Sequence, residues 1–148
     1  MKQYPTEKRK LVILEGVDRS GKSTAWEEIN KQTKYSHYVM DRGPIGFLAY
    51  DFIYDKGEEL VEKHGEDIEK LAEMDDVVVL YFIASPEELE RRVRETGHEP
   101  VDYDLNLRLY AAALQFADDT TDLDIIVLDT TEIHVKDHIK ELIKKDIL

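Results

Sequence analysis

The sequence predicts an α/β fold, a three-layer α/β/α sandwich around a mostly parallel sheet of about four to five strands. Three observations predict it. Short apolar runs alternate with helical segments along a chain of 148 residues, the pattern that gives parallel strands joined by right-handed crossovers. Two of those runs, KLVILEG (Lys10–Gly16) and DDVVVLYFIAS (Asp75–Ser85), are dominated by apolar residues, as strands buried on both faces require. Polar and glycine-bearing segments follow the strands, where open sheets of this kind bind their ligands.

Each element has its own warrant. After the first strand, residues from about Lys22 to Gln32 read as a helix. SHYVMDR (Ser36–Arg42) reads as a second strand, and Gly43-Pro44 then opens a helix over IGFLAYDFIY, since proline fits the first helical turn. Gly57 interrupts it. A charged helix follows from about Glu58 to Glu73, with Gly65 as its weak point. Ser85-Pro86-Glu87-Glu88 is a helix start: a cap, a proline, then acids in the first turn. That helix runs to about Thr96, and TGHEPVD (Thr96–Asp102) has loop chemistry. YDLNLRLYAAALQFADD reads as a helix, LDIIVLD (Leu123–Asp129) as the fourth strand, and Val135–Lys145 as the closing amphipathic helix. The expected strand order is 2-1-3-4, in one domain spanning 1–148.

Composition narrows the function classes. The chain lacks cysteine, which excludes disulfides, thiolate metal sites and cysteine nucleophiles. Its formal net charge is -13, against broad binding to nucleic acid, which needs a basic face. The start, MKQYPTEKRK, lacks the apolar segment of a signal peptide. No apolar run approaches the roughly 20 residues of a membrane helix, so the expected setting is cytoplasmic, with no membrane partner. His134 and His138 lie four apart but on a surface-like helix, and the five histidines have no usual zinc spacing.

The stretch LEGVDRSGKST (Leu14–Thr24) carries the chemistry. Gly16 and Gly21 let the backbone curl so that its N–H groups face a phosphate, and the following helix N-terminus favours anions. Lys22 then reaches the β- and γ-phosphates of ATP, and Ser23 ligates magnesium, with Thr24 the weaker candidate. Ser20 lines the same loop. Asp18 and Arg19 at the crown are either solvated loop charges or functional groups. In the second reading Arg19 sets a planar cation against the transferring phosphoryl group, and Asp18 accepts from a sugar hydroxyl.

This loop resembles that of thymidylate kinases, an acidic residue followed by G-x-D-x-[SA]-G-K-[ST]. Arg19 resembles the catalytic arginine that one subgroup carries in its loop. MDRGP (Met40–Pro44) is similar to the Asp-Arg motif of that family and to the Glu-Arg-Ser motif of deoxynucleoside kinases. The resemblance implies that Asp41 serves magnesium or the acceptor, and that Arg42 holds an acceptor phosphate or polarises the attacking oxygen. It also implies a lid at about 91–104, with Arg92 or Arg94 touching the phosphates. The alternative for Arg91, Arg92 and Arg94 is structural: they suit a helix C-terminus, and Glu87 and Glu88 stand four residues before Arg91 and Arg92. Thr130 and Thr131 hydrogen-bond a base or cap a turn. Phe47, Tyr50 and Tyr54 share a helix face, for core packing or for an acceptor base.

The resemblance covers most of the chain and implies a homodimer, with ATP and Mg2+ as cofactors. It departs at one point. Thymidylate kinases carry a further strand, ending in an Arg-Glu-Pro-Gly motif, between the first helix and the Asp-Arg strand. NKQTKYSHYVMDR has no room for it. The expected activity is transfer of the ATP γ-phosphoryl group to a (deoxy)nucleoside monophosphate. Alternative acceptors are a nucleoside or a nucleic-acid 5′-hydroxyl, and the alternative to an enzyme is an ATP-binding module. A GTPase would need an Asn-Lys-x-Asp reader and an Asp-x-x-Gly switch, which LDTTE and DRGP do not supply.

Overall fold

The computed structural model describes residues 9–97 and 101–148. Residues 98–100, inside the lid segment expected at 91–104, lie outside the described residues. Four parallel strands form one sheet in the order β2-β1-β3-β4, the order expected from the sequence. They are β1 (Leu11–Glu15), β2 (Tyr38–Asp41), β3 (Val77–Ile83) and β4 (Asp124–Asp129). Six helices connect and cover them: α1 (Lys22–Thr33), α2 (Pro44–Ile53), α3 (Glu58–Ala72), α4 (Pro86–Glu95), α5 (Tyr103–Thr120) and α6 (Val135–Lys144).

The two central strands divide their side chains between the two faces, as a pleat with a period of two requires. Val12, Leu14, Val78, Leu80 and Phe82 pack with Ala25 and Ile29 of α1 and Val135, Ile139 and Leu142 of α6. Ile13, Val79 and Tyr81 face the other way, into a core with Ile45 and Leu48 of α2, Ile68 of α3, Leu89 of α4 and Tyr110 of α5. That makes the three layers. Full burial of a side chain such as Phe82 stabilises by about 2–3 kcal/mol, and Phe82 is wholly enclosed.

Local chemistry sets the helix starts. Pro44 stands in the first turn of α2 behind an extended Gly43. Ser85 caps α4 by accepting from the Glu88 N–H at 3.2 Å, and Asp102 caps α5 by accepting from Leu105 N–H at 3.0 Å. The third strand is shorter than Asp75–Ser85, because Asp76 turns left-handed (φ 57°) just before it. The second begins at Tyr38 rather than Ser36. Gly65 does not break α3: it is buried where α3 packs against Phe116 of α5. Among the described residues no helix is long and apolar enough to cross a membrane.

Candidate active site

The loop between β1 and α1 is built from its backbone. Gly16 and Gly21 adopt φ of 145° and 117°, values open to glycine and strained for other residues. A Cβ on Gly16 would lie 2.6 Å from the Phe82 carbonyl oxygen, so the loop lies against the end of β3 with no space for a side chain. Ser20 N–H donates to the Val17 carbonyl at 3.2 Å. The Ser20 hydroxyl is buried and has no hydrogen-bond partner among the described residues.

Lys22 folds back over the loop. Its Nζ donates to the Gly16 carbonyl at 2.7 Å and to the Val17 carbonyl at 3.0 Å. Burial first, and the nearby Arg42 cation second, bring its pKa down to about 8. The ammonium is still charged at neutral pH and held by two neutral carbonyls.

At the end of β2 the chain turns left-handed at Arg42 (φ 67°), and Arg19 at the loop crown does the same (φ 68°). Such conformations in non-glycine residues cost free energy and cluster at functional sites. Arg42 reaches the loop: its Nη2 donates to Asp18 at 2.8 Å and to the Tyr50 hydroxyl at 2.7 Å. Its guanidinium carbon lies 4.6 Å from the Tyr50 ring centroid, a cation–π distance. The Arg42 Nε is buried and lacks a partner among the described residues.

Glu15, the last residue of β1, joins this assembly from beneath. Its carboxylate is wholly enclosed. It accepts from the Tyr110 hydroxyl at 2.7 Å and the Gly46 N–H at 2.7 Å, and Tyr110 stacks in turn on Tyr81. Burial pushes the Glu15 pKa up to about 7. The same burial, with the adjacent Glu15 carboxylate, raises the Tyr110 hydroxyl far above its ordinary range. Glu15 thus ties the N-terminus of α2, and with it Arg42, to β1 and α5.

Arg92 approaches from α4. Its Nη1 donates to the Arg19 carbonyl at 2.8 Å and its Nη2 to the Thr130 carbonyl at 2.7 Å, while Nε donates to Glu88 at 3.1 Å. The Thr130 hydroxyl donates to the Ser20 carbonyl at 2.8 Å. Arg92 therefore fastens α4 to the loop crown and to the turn after β4. Arg91 pairs with Glu88 and Glu95 on the exposed side of α4, and the two arginines pull the Glu88 carboxyl down to about 2, Arg91 most strongly.

One open cleft of about 560 Å³ collects these groups. Asp18, Arg19, Gly21, Lys22, Ser23, Thr24, Asp41, Arg42 and Arg92 line it, with Glu95 and Thr96. Of the residues singled out from the sequence, Gly16 and Ser20 form the loop behind this lining, and exposed Arg94 lies outside it. A neighbouring groove of about 360 Å³ runs past Thr24, Thr130, Thr131 and His134. Thr131 accepts from Ser85 N–H and donates to Asp129, which shapes the turn after β4. Phe47 and Tyr54 are exposed while Tyr50 is half-buried, so the aromatic face of α2 is open towards solvent at both ends. Ser23 and Asp41 present a hydroxyl and a carboxylate to the same cleft, an oxygen donor set that fits magnesium with phosphate and water completing the shell.

Two contacts of this site have no local signal. Tyr110 stands 95 positions from Glu15, and an aromatic within an amphipathic helix does not announce a polar partner. Tyr50 carries the same ambiguity, its contact with Arg42 being set by the left-handed turn after β2.

No family model matches the sequence, and no curated protein matches it. Solved structures do. The YorR protein from Bacillus subtilis, crystallised in complex with phosphorylated GDP, is similar at a TM-score of 0.71. It is 22% identical, over 92% of this chain and 95% of its own. A shikimate kinase from Bacteroides thetaiotaomicron is similar at a TM-score of 0.49 and 13% identity, over 94% of this chain and 99% of its own. The chain has the P-loop fold: the strand order, the loop between β1 and α1 and the likeness to YorR agree.

Proposed function

We propose that this chain is a P-loop kinase that transfers the γ-phosphoryl group of ATP to a (deoxy)nucleoside monophosphate. The observation that carries the reading is the single cleft that unites Lys22, Ser23, Asp41, Arg42 and Arg92 at the carboxyl ends of the strands. The complex of YorR with phosphorylated GDP supports a nucleotide as ligand of the fold.

Catalysis of this kind is positioning plus neutralisation of charge. Loop N–H groups bind the phosphates, and Lys22 exchanges its two carbonyl partners for phosphate oxygens. Arg19 carries a permanent cation at the crown, beside the transferring group. Ser23 and Asp41 would hold magnesium, which would supply further neutralisation of the phosphate charge. Arg42 orients the acceptor, steadied by Tyr50, and Arg92 keeps the crown in place.

A second acceptor class has its own support. Asp18 pairs with Arg42 in the cleft, and a carboxylate there suits a sugar hydroxyl better than a dianionic phosphate. A nucleoside acceptor is therefore the alternative. The test is ADP release from magnesium–ATP with deoxynucleotides, deoxynucleosides and a 5′-hydroxyl oligonucleotide as acceptors. Acceptor-dependent release is expected, and Lys22→Ala or Arg19→Ala should slow it by about several hundredfold. Release with no acceptor preference, or near-normal turnover in both variants, would overturn the reading.

A further inference from the structure

Thr130 is the first residue after β4 and is buried. All of its polar groups are engaged. Its N–H donates to the Ile83 carbonyl at 2.7 Å, which anchors it to the end of β3. Its carbonyl accepts from Arg92 Nη2 at 2.7 Å. Its hydroxyl accepts from Arg92 Nη1 at 3.2 Å and has two carbonyls within donating reach, Ser20 at 2.8 Å and Ile83 at 3.1 Å. A hydroxyl has one hydrogen to give. The Ile83 carbonyl already receives the Thr130 N–H, and the Ser20 carbonyl is nearer, so the hydroxyl hydrogen goes to Ser20. Thr131 behaves differently: its hydroxyl donates to Asp129 and accepts from the Ser85 N–H, which shapes the turn.

The bond to Ser20 sets the direction of a peptide plane. Ser20 is wholly enclosed, so its carbonyl needs a partner inside the protein, and Thr130 supplies one. In a trans peptide the carbonyl and the following N–H point opposite ways. Holding the Ser20 carbonyl at Thr130 therefore turns the Gly21 N–H away from Thr130. Gly21 lines the cleft of about 560 Å³, and Thr130 is not part of that lining. Behind Gly21 stands the start of α6: a Cβ on Gly21 would lie 2.6 Å from the Val135 side chain. The carbonyl before it, that of Arg19, is drawn off by Arg92 at 2.8 Å. Two successive carbonyls of the crown thus point outward, to Arg92 and Thr130, which are bonded to each other. An N–H aimed into the cleft from such a loop is a donor for a phosphate oxygen.

We propose that Thr130 is a positioning residue for the nucleotide phosphates: through the Ser20 carbonyl it aims the Gly21 N–H at the phosphate that the loop binds. This rests on the reading of the loop as a nucleotide-phosphate site and extends that site to the turn after β4. Thr130→Val keeps the shape of the side chain and removes the hydroxyl. The Ser20 carbonyl then has no partner, and its peptide plane is free to turn towards another donor, taking the Gly21 N–H with it.

Calorimetric titration of the full chain with magnesium and ADP, paired with amide proton–nitrogen correlation spectra, tests it. In the unsubstituted chain the Gly21 amide proton should move downfield as ADP binds, because its bond to a phosphate is charge-assisted. Thr130→Val should weaken ADP binding by about tenfold or more and abolish that movement, with circular dichroism verifying the fold. Thr130→Ser restores the hydroxyl and should return the affinity to within about twofold and the movement with it. An unchanged affinity in Thr130→Val, an equal loss in Thr130→Ser, or a Gly21 amide that stays in place when ADP binds the unsubstituted chain would each overturn the role of Thr130 and leave nucleotide binding by the loop standing. A chain that binds no ADP at all would overturn both. The spectrum of the unsubstituted chain decides the matter even where Thr130→Val does not fold.

Discussion

Lys22 holds its charge in an enclosed place, satisfied by two carbonyls and lowered to about 8 by burial and by Arg42. A lysine in water would keep its proton to about 10. The sign of the consequence follows directly. Below about pH 8 the empty loop is cationic and attracts phosphate, and as pH rises through that value the charge is lost. Nucleotide affinity should therefore begin to fall above about pH 8, which calorimetric titration of ATP across that range would reveal. Constant affinity to about pH 10 would mean that Lys22 is not so perturbed. Tyr50 offers a second residue-scale test. Its hydroxyl accepts from Arg42 and its ring supports the guanidinium. Tyr50→Phe keeps the ring and removes one charge-assisted hydrogen bond, worth about 1–2 kcal/mol. The KM for the acceptor should rise about fivefold or more with the KM for ATP unchanged; an equal rise in both would assign Tyr50 to the whole cleft rather than to its acceptor side.

Between β1 and α2, packing is tight enough that one methyl group matters. Gly46 presents its N–H to Glu15, and a Cβ at that position would overlap the Glu15 carboxylate and lie 2.7 Å from the Tyr110 hydroxyl. Both are buried and hydrogen-bonded to each other, so neither can withdraw without leaving a polar group unpaired. Gly46→Ala should destabilise the fold by about 1–3 kcal/mol, measured as a lower urea midpoint, even though alanine is the better helix former. An unchanged midpoint would show that α2 can slide away from β1. The element boundaries themselves were largely legible. The apolar runs of β1 and β3, the Ser85-Pro86 start of α4 and the loop spacing each depend on neighbours in sequence; the alternation gave the parallel sheet but not its order, which was an expectation that the structure matches. The Glu15–Tyr110–Gly46 junction and the grip of Arg92 on Thr130 were not legible, because they join residues far apart along the chain. Arg92 read either as a lid residue or as a helix-end cation paired with Glu88: a basic cluster at a helix end signals charge, and only the fold reveals the two backbone carbonyls it also engages.

At the scale of the whole molecule, Glu15 links both the cleft and the core to pH. It sits where β1, α2 and α5 meet, and its pKa rises from 4.5 to about 7 because burial disfavours the ionised form more than its hydrogen bonds favour it. A carboxyl whose folded pKa is raised binds its proton more tightly in the native state. Its contribution to stability is fully present below the unfolded pKa of 4.5 and is lost as pH rises through about 7. The displacement corresponds to about 3 kcal/mol. Glu88 and Asp129 run the opposite way, since both are held below their ordinary values and favour the fold above the unfolded pKa. Overall stability therefore mixes the two signs, and comparison with Glu15→Gln separates them. That variant keeps the shape and removes the titration at this site; its amide oxygen can accept from Gly46 N–H and its NH2 donate to the Tyr110 hydroxyl, a change that is the same at every pH. The difference in unfolding free energy between the two proteins should swing by about 3 kcal/mol between about pH 4 and pH 8, with the unsubstituted chain losing relative stability as pH rises. Urea unfolding of both at the two pH values measures it. A constant difference would mean that Glu15 ionises in the folded protein at an ordinary carboxyl pKa, and that the junction beneath the phosphate loop admits water.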